Sequence, residues 1–149
     1  MRALLMASAL AVGVAGVAFA QAEDEFGSPE EAREMLENAV AAIEDDRDEA
    51  LERFRTDDEF RDRDLYVFCG DEDGDFVVHP TLAGQSLRDL EDRAGEPFGE
   101  RIYETAEEGE FNQVDYMWPR PGETEPIQKS SYVTRVDDLV CAVGYYEPE

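Results

Sequence analysis

The sequence predicts an α+β fold: a long N-terminal helix packed on a five-stranded antiparallel sheet, with a helical crossover inside the sheet. Three observations carry this. One long run repeats apolar residues at helical spacing. Five shorter runs read as strands, two of them apolar on both faces. A short amphipathic stretch separates the second strand from the third.

Ser28-Pro29-Glu30-Glu31 starts the helix, with Ser28 as N-cap, Pro29 at the first helical position and Glu31 completing a capping box. Ala32, Met35, Leu36, Ala39, Val40, Ile43, Ala50, Leu51 and Phe54 then follow at three-four spacing, with Arg47 the one break in the stripe. The spacing predicts one helix of about 26 residues with a single face to bury. Phe60 to Asp64 reads as a charged connector. Leu65 to Cys69 is apolar on both faces and fits a central strand. Asp71-Glu72-Asp73-Gly74 turns the chain, and Asp75 to His79 returns as a second strand ended by Pro80.

Residues 81–96 look irregular. Pro97 to Glu108 reads as a short helix carrying Phe98, Ile102, Tyr103 and Ala106, stopped by Gly109. A third strand runs from about Glu110 to Trp118 and is broken by Pro119-Arg120-Pro121-Gly122. A fourth covers Ile127 to Val136. Asp137-Asp138 turns into the fifth, Leu139 to Tyr146, again apolar on both faces. This order describes a PAS-like fold.

Residues 1–20 read as a cleavable signal peptide. Arg2 supplies the positive start, residues 3–20 carry no charge, and Ala18 and Ala20 occupy the small-residue positions before the cut. The alternative is an uncleaved anchor, since 18 apolar residues lie at the lower edge for spanning a bilayer. Cleavage after Ala20 leaves 129 of 149 residues: a short segment at 21–27 and one domain at 28–146. The expected location is periplasmic or secreted, or membrane-anchored if residues 3–20 remain.

Losing Arg2 with that segment moves the net charge from −25 to −26. Such a chain is not expected to bind nucleic acid phosphates or an anionic lipid surface. The acidity suits a protein that stays soluble in a salty extracytoplasmic space, where screening weakens self-repulsion.

Cys69 and Cys141 are the only cysteines. In an oxidising compartment they could pair and close a loop of about 70 residues, which the chain-entropy model values at roughly 4 kcal/mol. A metal site is the rival, and it would need further soft ligands beside His79, the only histidine. Asp71-x-Asp73-Gly74-Asp75 suggests calcium, but a calcium loop needs Gly and Glu where Phe76 and Leu82 stand, so a polar turn is the reading. There is no Gly-x-Ser-x-Gly elbow and no histidine cluster, and no enzyme, metal or cofactor is expected.

The chain resembles the single Cache domains of type 2, extracytoplasmic small-molecule sensor domains. The similarity runs from about Ser28 to Tyr146. It rests on Asp64-Leu65-Tyr66-Val67-Phe68, the Asp73-Gly74 turn, His79-Pro80, Gly84 and Gly95-Glu96-Pro97-Phe98. It continues through Val114-Asp115-Tyr116-Met117-Trp118-Pro119-Arg120-Pro121-Gly122, Lys129-Ser130-Ser131-Tyr132-Val133 and Val143-Gly144-Tyr145-Tyr146.

The resemblance implies a sheet in which the first and last strands are neighbours, placing Cys69 beside Cys141. It also implies a pocket for a small organic acid between sheet and crossover, lined by His79, Tyr116, Trp118, Lys129 and Tyr132. A short carboxylate needs a cationic or hydroxyl donor and an aromatic wall, and Lys129 is the only lysine in the chain. Strand alternation separates Lys129 from Tyr132, so a regular strand turns only one of them into the pocket. Arg120, in the Pro-Gly loop, reads as a solvated arginine.

Family members commonly lie between two membrane helices of a chemoreceptor or histidine kinase. Here the chain ends at Glu149. The expectation is a freestanding periplasmic sensor domain that signals through a membrane receptor or kinase partner. The alternative is an extracytoplasmic interaction module whose pocket is vestigial.

Overall fold

A computed structural model describes residues 25–148. The predicted signal peptide lies outside the described residues. Helix α1 covers Pro29–Asp45 and α2 covers Arg47–Thr56. A single 3-10 turn at Asp58–Phe60 leads to β1 (Arg61–Asp62). Strands β2 (Leu65–Gly70) and β3 (Phe76–Val78) precede α3 (Phe98–Thr105). Strands β4 (Asn112–Trp118), β5 (Ile127–Val136) and β6 (Leu139–Tyr146) complete the chain.

The predicted leading helix is two helices. Ser28 and Glu31 form the expected capping box, with the Glu31 amide donating to Ser28 Oγ at 3.2 Å and the Ser28 amide donating to Glu31 Oε2 at 2.8 Å. At Asp46 the backbone is extended. The Asp46 amide closes α1 on the Ala42 carbonyl at 3.0 Å, and its carboxylate caps α2 by accepting from the Glu49 amide at 3.1 Å. The turn also explains Arg47. It leaves the apolar stripe and pairs with Asp138 in the β5–β6 turn.

The sheet is antiparallel, in the order β1-β2-β6-β5-β4, with β3 also paired to β2. It has six strands rather than five. The extra one, β1, lies in the stretch read as a connector. Arg63 takes a left-handed conformation, φ 55°, which turns Arg61–Asp62 back onto Leu65 and Tyr66. The first long strand and the last are neighbours, with Cys69 opposite Cys141. The two cysteines form a disulfide, with Cα atoms 4.1 Å apart.

Both faces of the sheet are covered, as the doubly apolar β2 and β6 require. Helices α1 and α2 bury Leu36, Ile43, Phe54, Leu65, Val67, Leu139 and Val143 on one face. On the other, α3 and the crossover bury Phe68, Phe76, Leu87, Phe98, Ile102, Val133 and Ala142. The crossover is irregular but tied down, with the Leu87 amide donating to Gly74 at 2.7 Å and the Phe76 amide to Gln85 at 2.8 Å. Among the described residues no helix is long and apolar enough to cross a membrane.

Candidate functional site

The register of three strands builds the site. Tyr116 on β4 lies opposite Lys129 on β5, and Lys129 lies opposite Tyr146 on β6. Residues directly opposite in an antiparallel pair project to the same face. The row Tyr116–Lys129–Tyr146 therefore points to the crossover side. Period-two alternation sends Tyr66 and Phe68 of β2 to that side as well.

Lys129 is 1% exposed. Its Nζ donates to Tyr66 Oη at 2.9 Å, which accounts for one of its three N–H donors. The ammonium lies 4.5 Å from the Tyr66 ring centre, 5.2 Å from Tyr146, 5.4 Å from Phe68 and 5.7 Å from Tyr116. No ion pair is formed with it among the described residues. Burial alone depresses a lysine pKa. The phenols of Tyr116, Tyr66 and Tyr146 and the hydrogen bond to Tyr66 act the other way and prevail, and Lys129 stays charged through the neutral range. Burial in turn raises the Tyr116 and Tyr146 hydroxyls, so both remain protonated donors.

Gly144 on β6 makes room for the lysine stem. A Cβ there would come within 2.3 Å of Lys129 Cε and 2.4 Å of Ser131 Oγ. Ser131 in turn shares a 2.8 Å hydrogen bond with the Tyr116 hydroxyl.

His79 follows β3 and packs tilted against Phe76 at 4.8 Å and edge-on against Tyr66 at 5.3 Å. Its Nδ1 accepts from the Thr81 and Leu82 amides, each at 3.0 Å. The imidazole is thus the neutral tautomer with the proton on Nε2. Burial, reinforced by the Lys129 charge, holds its pKa down to about 3. Trp118 packs edge-on against Phe98 at 5.4 Å, and Phe98 stacks on Tyr116 at 4.1 Å.

His79, Tyr116, Trp118 and Lys129 line one inner cavity with Tyr66 and Phe98. It holds about 10 Å³, room for the centre of one water. Tyr66, His79 and Trp118 also line an outer cleft of about 420 Å³. These three side chains form the partition between cavity and cleft.

Tyr132 does not join the set. It is one step out of phase with Lys129 on a strand without a bulge, and so faces the helices. There it packs on Tyr145, ring centres 5.9 Å apart. Arg120 is not a solvated arginine either. Its side chain is 11% exposed, and Nε pairs with Asp64 Oδ2 at 3.3 Å. Asp64 Oδ1 also accepts from the Gly27 amide at 2.8 Å. The Asp71 carboxylate accepts from the Asp75 amide at 3.0 Å, as a turn residue does.

Tyr66, Phe68, Gly144 and Tyr146 were not singled out from the sequence. Alternation within Leu65–Gly70 and Leu139–Tyr146 carried the signal. One ammonium, several hydroxyl donors and an aromatic wall are the equipment for holding a small carboxylate.

The family model described as Single Cache domain 2 matches residues 10–146. The chain is similar to a solved periplasmic sensor domain of a chemotaxis protein, at 30% identity and TM-score 0.62, over 80% of this chain and 90% of that one. It has the fold of a methyl-accepting chemotaxis protein from Vibrio parahaemolyticus, at 21% identity and TM-score 0.65, over 78% of this chain and 86% of that one. It also has the fold of a Cache chemosensory domain whose structure concerns carboxylic acid recognition, at 22% identity and TM-score 0.62, over 80% and 92% of the two chains. Among curated proteins it matches the methyl-accepting chemotaxis protein McpP of Pseudomonas putida, 31% identical over 75 residues. That match takes in 48% of this chain and 14% of the relative's length.

Proposed function

The chain belongs to the Single Cache domain 2 family of extracytoplasmic sensor domains, and from that premise we propose that it binds a short organic acid at Lys129. In this reading residues 1–20 direct export, residues 28–146 form the sensing domain, and the signal passes through a membrane receptor or kinase. The observation that carries the ligand class is the state of Lys129. It is buried, charged and ringed by Tyr66, Phe68, Tyr116 and Tyr146, with no carboxylate paired to it among the described residues. A buried cation without a counter-ion is costly, and a ligand carboxylate supplies the missing charge. Tyr66, Tyr116 and the His79 Nε2–H are the neighbouring donors for the second carboxylate oxygen.

The test is a thermal-shift screen with acetate, propionate, pyruvate, lactate and succinate. A saturable stabilisation that disappears in Lys129→Ala is the expected result. No stabilisation by any of the acids would overturn the assignment. That outcome belongs to the second reading, an interaction module with a closed pocket, which the 10 Å³ inner cavity favours.

A further inference from the structure

The outer cleft raises an electrostatic question. An organic acid must approach a chain of net charge −25. Beyond a Debye length of about 8 Å that repulsion is screened, but inside it the local charges decide. Two cations line the outer cleft, Arg61 and Arg120, with Glu123 as its one carboxylate, exposed at the rim. Arg120 is already neutralised by Asp64 and rests on the Phe26 ring, 3.8 Å from its centre.

Arg61 differs. Among the described residues it pairs with no carboxylate, and its only side-chain partner is the Arg55 carbonyl, at 3.3 Å. It lies directly opposite Tyr66 in the β1–β2 register, so its Cβ leaves the sheet on the same face as the phenol that accepts from Lys129, while its guanidinium reaches the sheet edge beside α2. It also lines the two adjoining clefts, of about 260 and 230 Å³. Arg61 therefore lines each of the three outer clefts, all of which border Tyr66 or His79.

We infer that Arg61 is a docking station for the incoming carboxylate. The acid is first held in the outer cleft by the guanidinium charge and then passes the partition to Lys129. This rests on the organic-acid reading of Lys129. It adds a second anion subsite, on the surface, that acts on the rate of association. A charge that stabilises the encounter and is left behind in the final complex speeds entry and exit by the same factor and leaves the Kd alone.

Trp118, the only tryptophan in the chain, stands in the partition and reports the passage by its fluorescence. Stopped-flow mixing with acetate and with propionate, at 20 to 300 mM NaCl, gives both rate constants. Arg61→Gln is expected to lower the on-rate about threefold at low salt, the size of one unit-charge attraction at roughly 6 Å in water. The same variant should flatten the salt dependence, lower the off-rate by the same factor and leave the Kd unchanged. Arg61→Glu should slow association by a similar factor again, and Arg61→Lys should stay near the wild type. Wild-type on-rates and salt slopes in Arg61→Gln, while Lys129→Met loses the signal, would overturn the docking station alone. A wild-type protein that binds neither acid would overturn it together with the reading of Lys129.

Discussion

Replacing Lys129 by methionine separates a binding lysine from a structural one. The substitution removes the charge and nearly keeps the volume. It costs the charged hydrogen bond to Tyr66, about 1.5–3 kcal/mol, and the attraction of the ring faces, up to about 2 kcal/mol. Against this, it removes the burial of an unpaired ammonium, several kcal/mol, and buries a thioether side chain worth about 1.5–3 kcal/mol. The two sides nearly cancel, and the balance lies within about 2 kcal/mol of zero. For a folded unit of this size each kcal/mol moves Tm by about 4 °C, so Tm should stay within about 8 °C of the wild type.

The acid response should go the other way. An acid at 100 times its Kd stabilises the wild type by about 2.7 kcal/mol, or about 10 °C. In Lys129→Met the carboxylate loses its charged partner, a penalty of about 2–5 kcal/mol, and the shift should vanish at the same concentration. Thermal unfolding of both proteins, with and without propionate, gives all four numbers. A Tm drop of 10 °C or more in the variant without acid would make Lys129 a structural element and refute the reasoning. An acid shift that survives in the variant would place the carboxylate elsewhere.

His79 carries a pH signature. Its pKa is about 3 folded and about 6.5 unfolded, so the unfolded chain binds the extra proton between those values. The stabilisation is complete above pH 6.5 and is lost as pH falls toward 3. Urea unfolding at pH 7 and pH 4.5 should show the wild type losing about 2–3 kcal/mol more than His79→Gln; equal losses would mean that burial does not hold the ring neutral. Gly144→Ala should weaken propionate binding at least tenfold by calorimetry, because the added methyl displaces Lys129 Cε, and cost about 1–3 kcal/mol of stability through overpacking. Reduction of Cys69–Cys141, which spans 72 residues, should cost about 4 kcal/mol; a Tm indifferent to dithiothreitol would contradict this.

Strands β5 and β6 were legible residue for residue, because Leu139–Tyr146 is a long apolar run and the Asp137-Asp138 turn between the two strands is strongly marked, with Asp137 at φ 52°. The break at Asp46 was hidden because the apolar stripe resumes after it almost in phase. The signal lay in Asp46-Arg47-Asp48-Glu49, a capping sequence inside a helical pattern. Strand β1 has two residues and no period to read. At the site, resemblance named His79, Tyr116, Trp118 and Lys129, and the fold brings these four together. It could not choose between Lys129 and Tyr132, since that choice depends on whether β5 bulges. The pairing with β4 and β6 runs without interruption and turns Lys129, not Tyr132, to the crossover side. Arg120 was beyond reach, because its partner Asp64 is 56 residues away.

The cations on either side of Tyr146, Arg120 and Lys129, show why the ligand reading attaches to one and not the other. Most arginines in this acidic chain are spent on exposed pairs, such as Arg33 with Glu37 and Arg53 with Asp57 and Glu59, which solvent screens. Arg120 and Lys129 are nine positions apart and both lie against Tyr146, at 5.3 and 5.2 Å from its ring centre. Arg120 receives a buried carboxylate from Asp64, and Asp64 is itself held by the Gly27 amide. That arrangement is complete without a ligand, and it fastens the loop after β4 to the segment before α1. Lys129 receives ring faces and one phenol oxygen. Rings favour a cation but do not neutralise it. In a chain with 38 acidic residues, a partner for Lys129 would have been easy to place. A buried charge with everything around it except a counter-ion is the arrangement expected where the counter-ion arrives with the ligand.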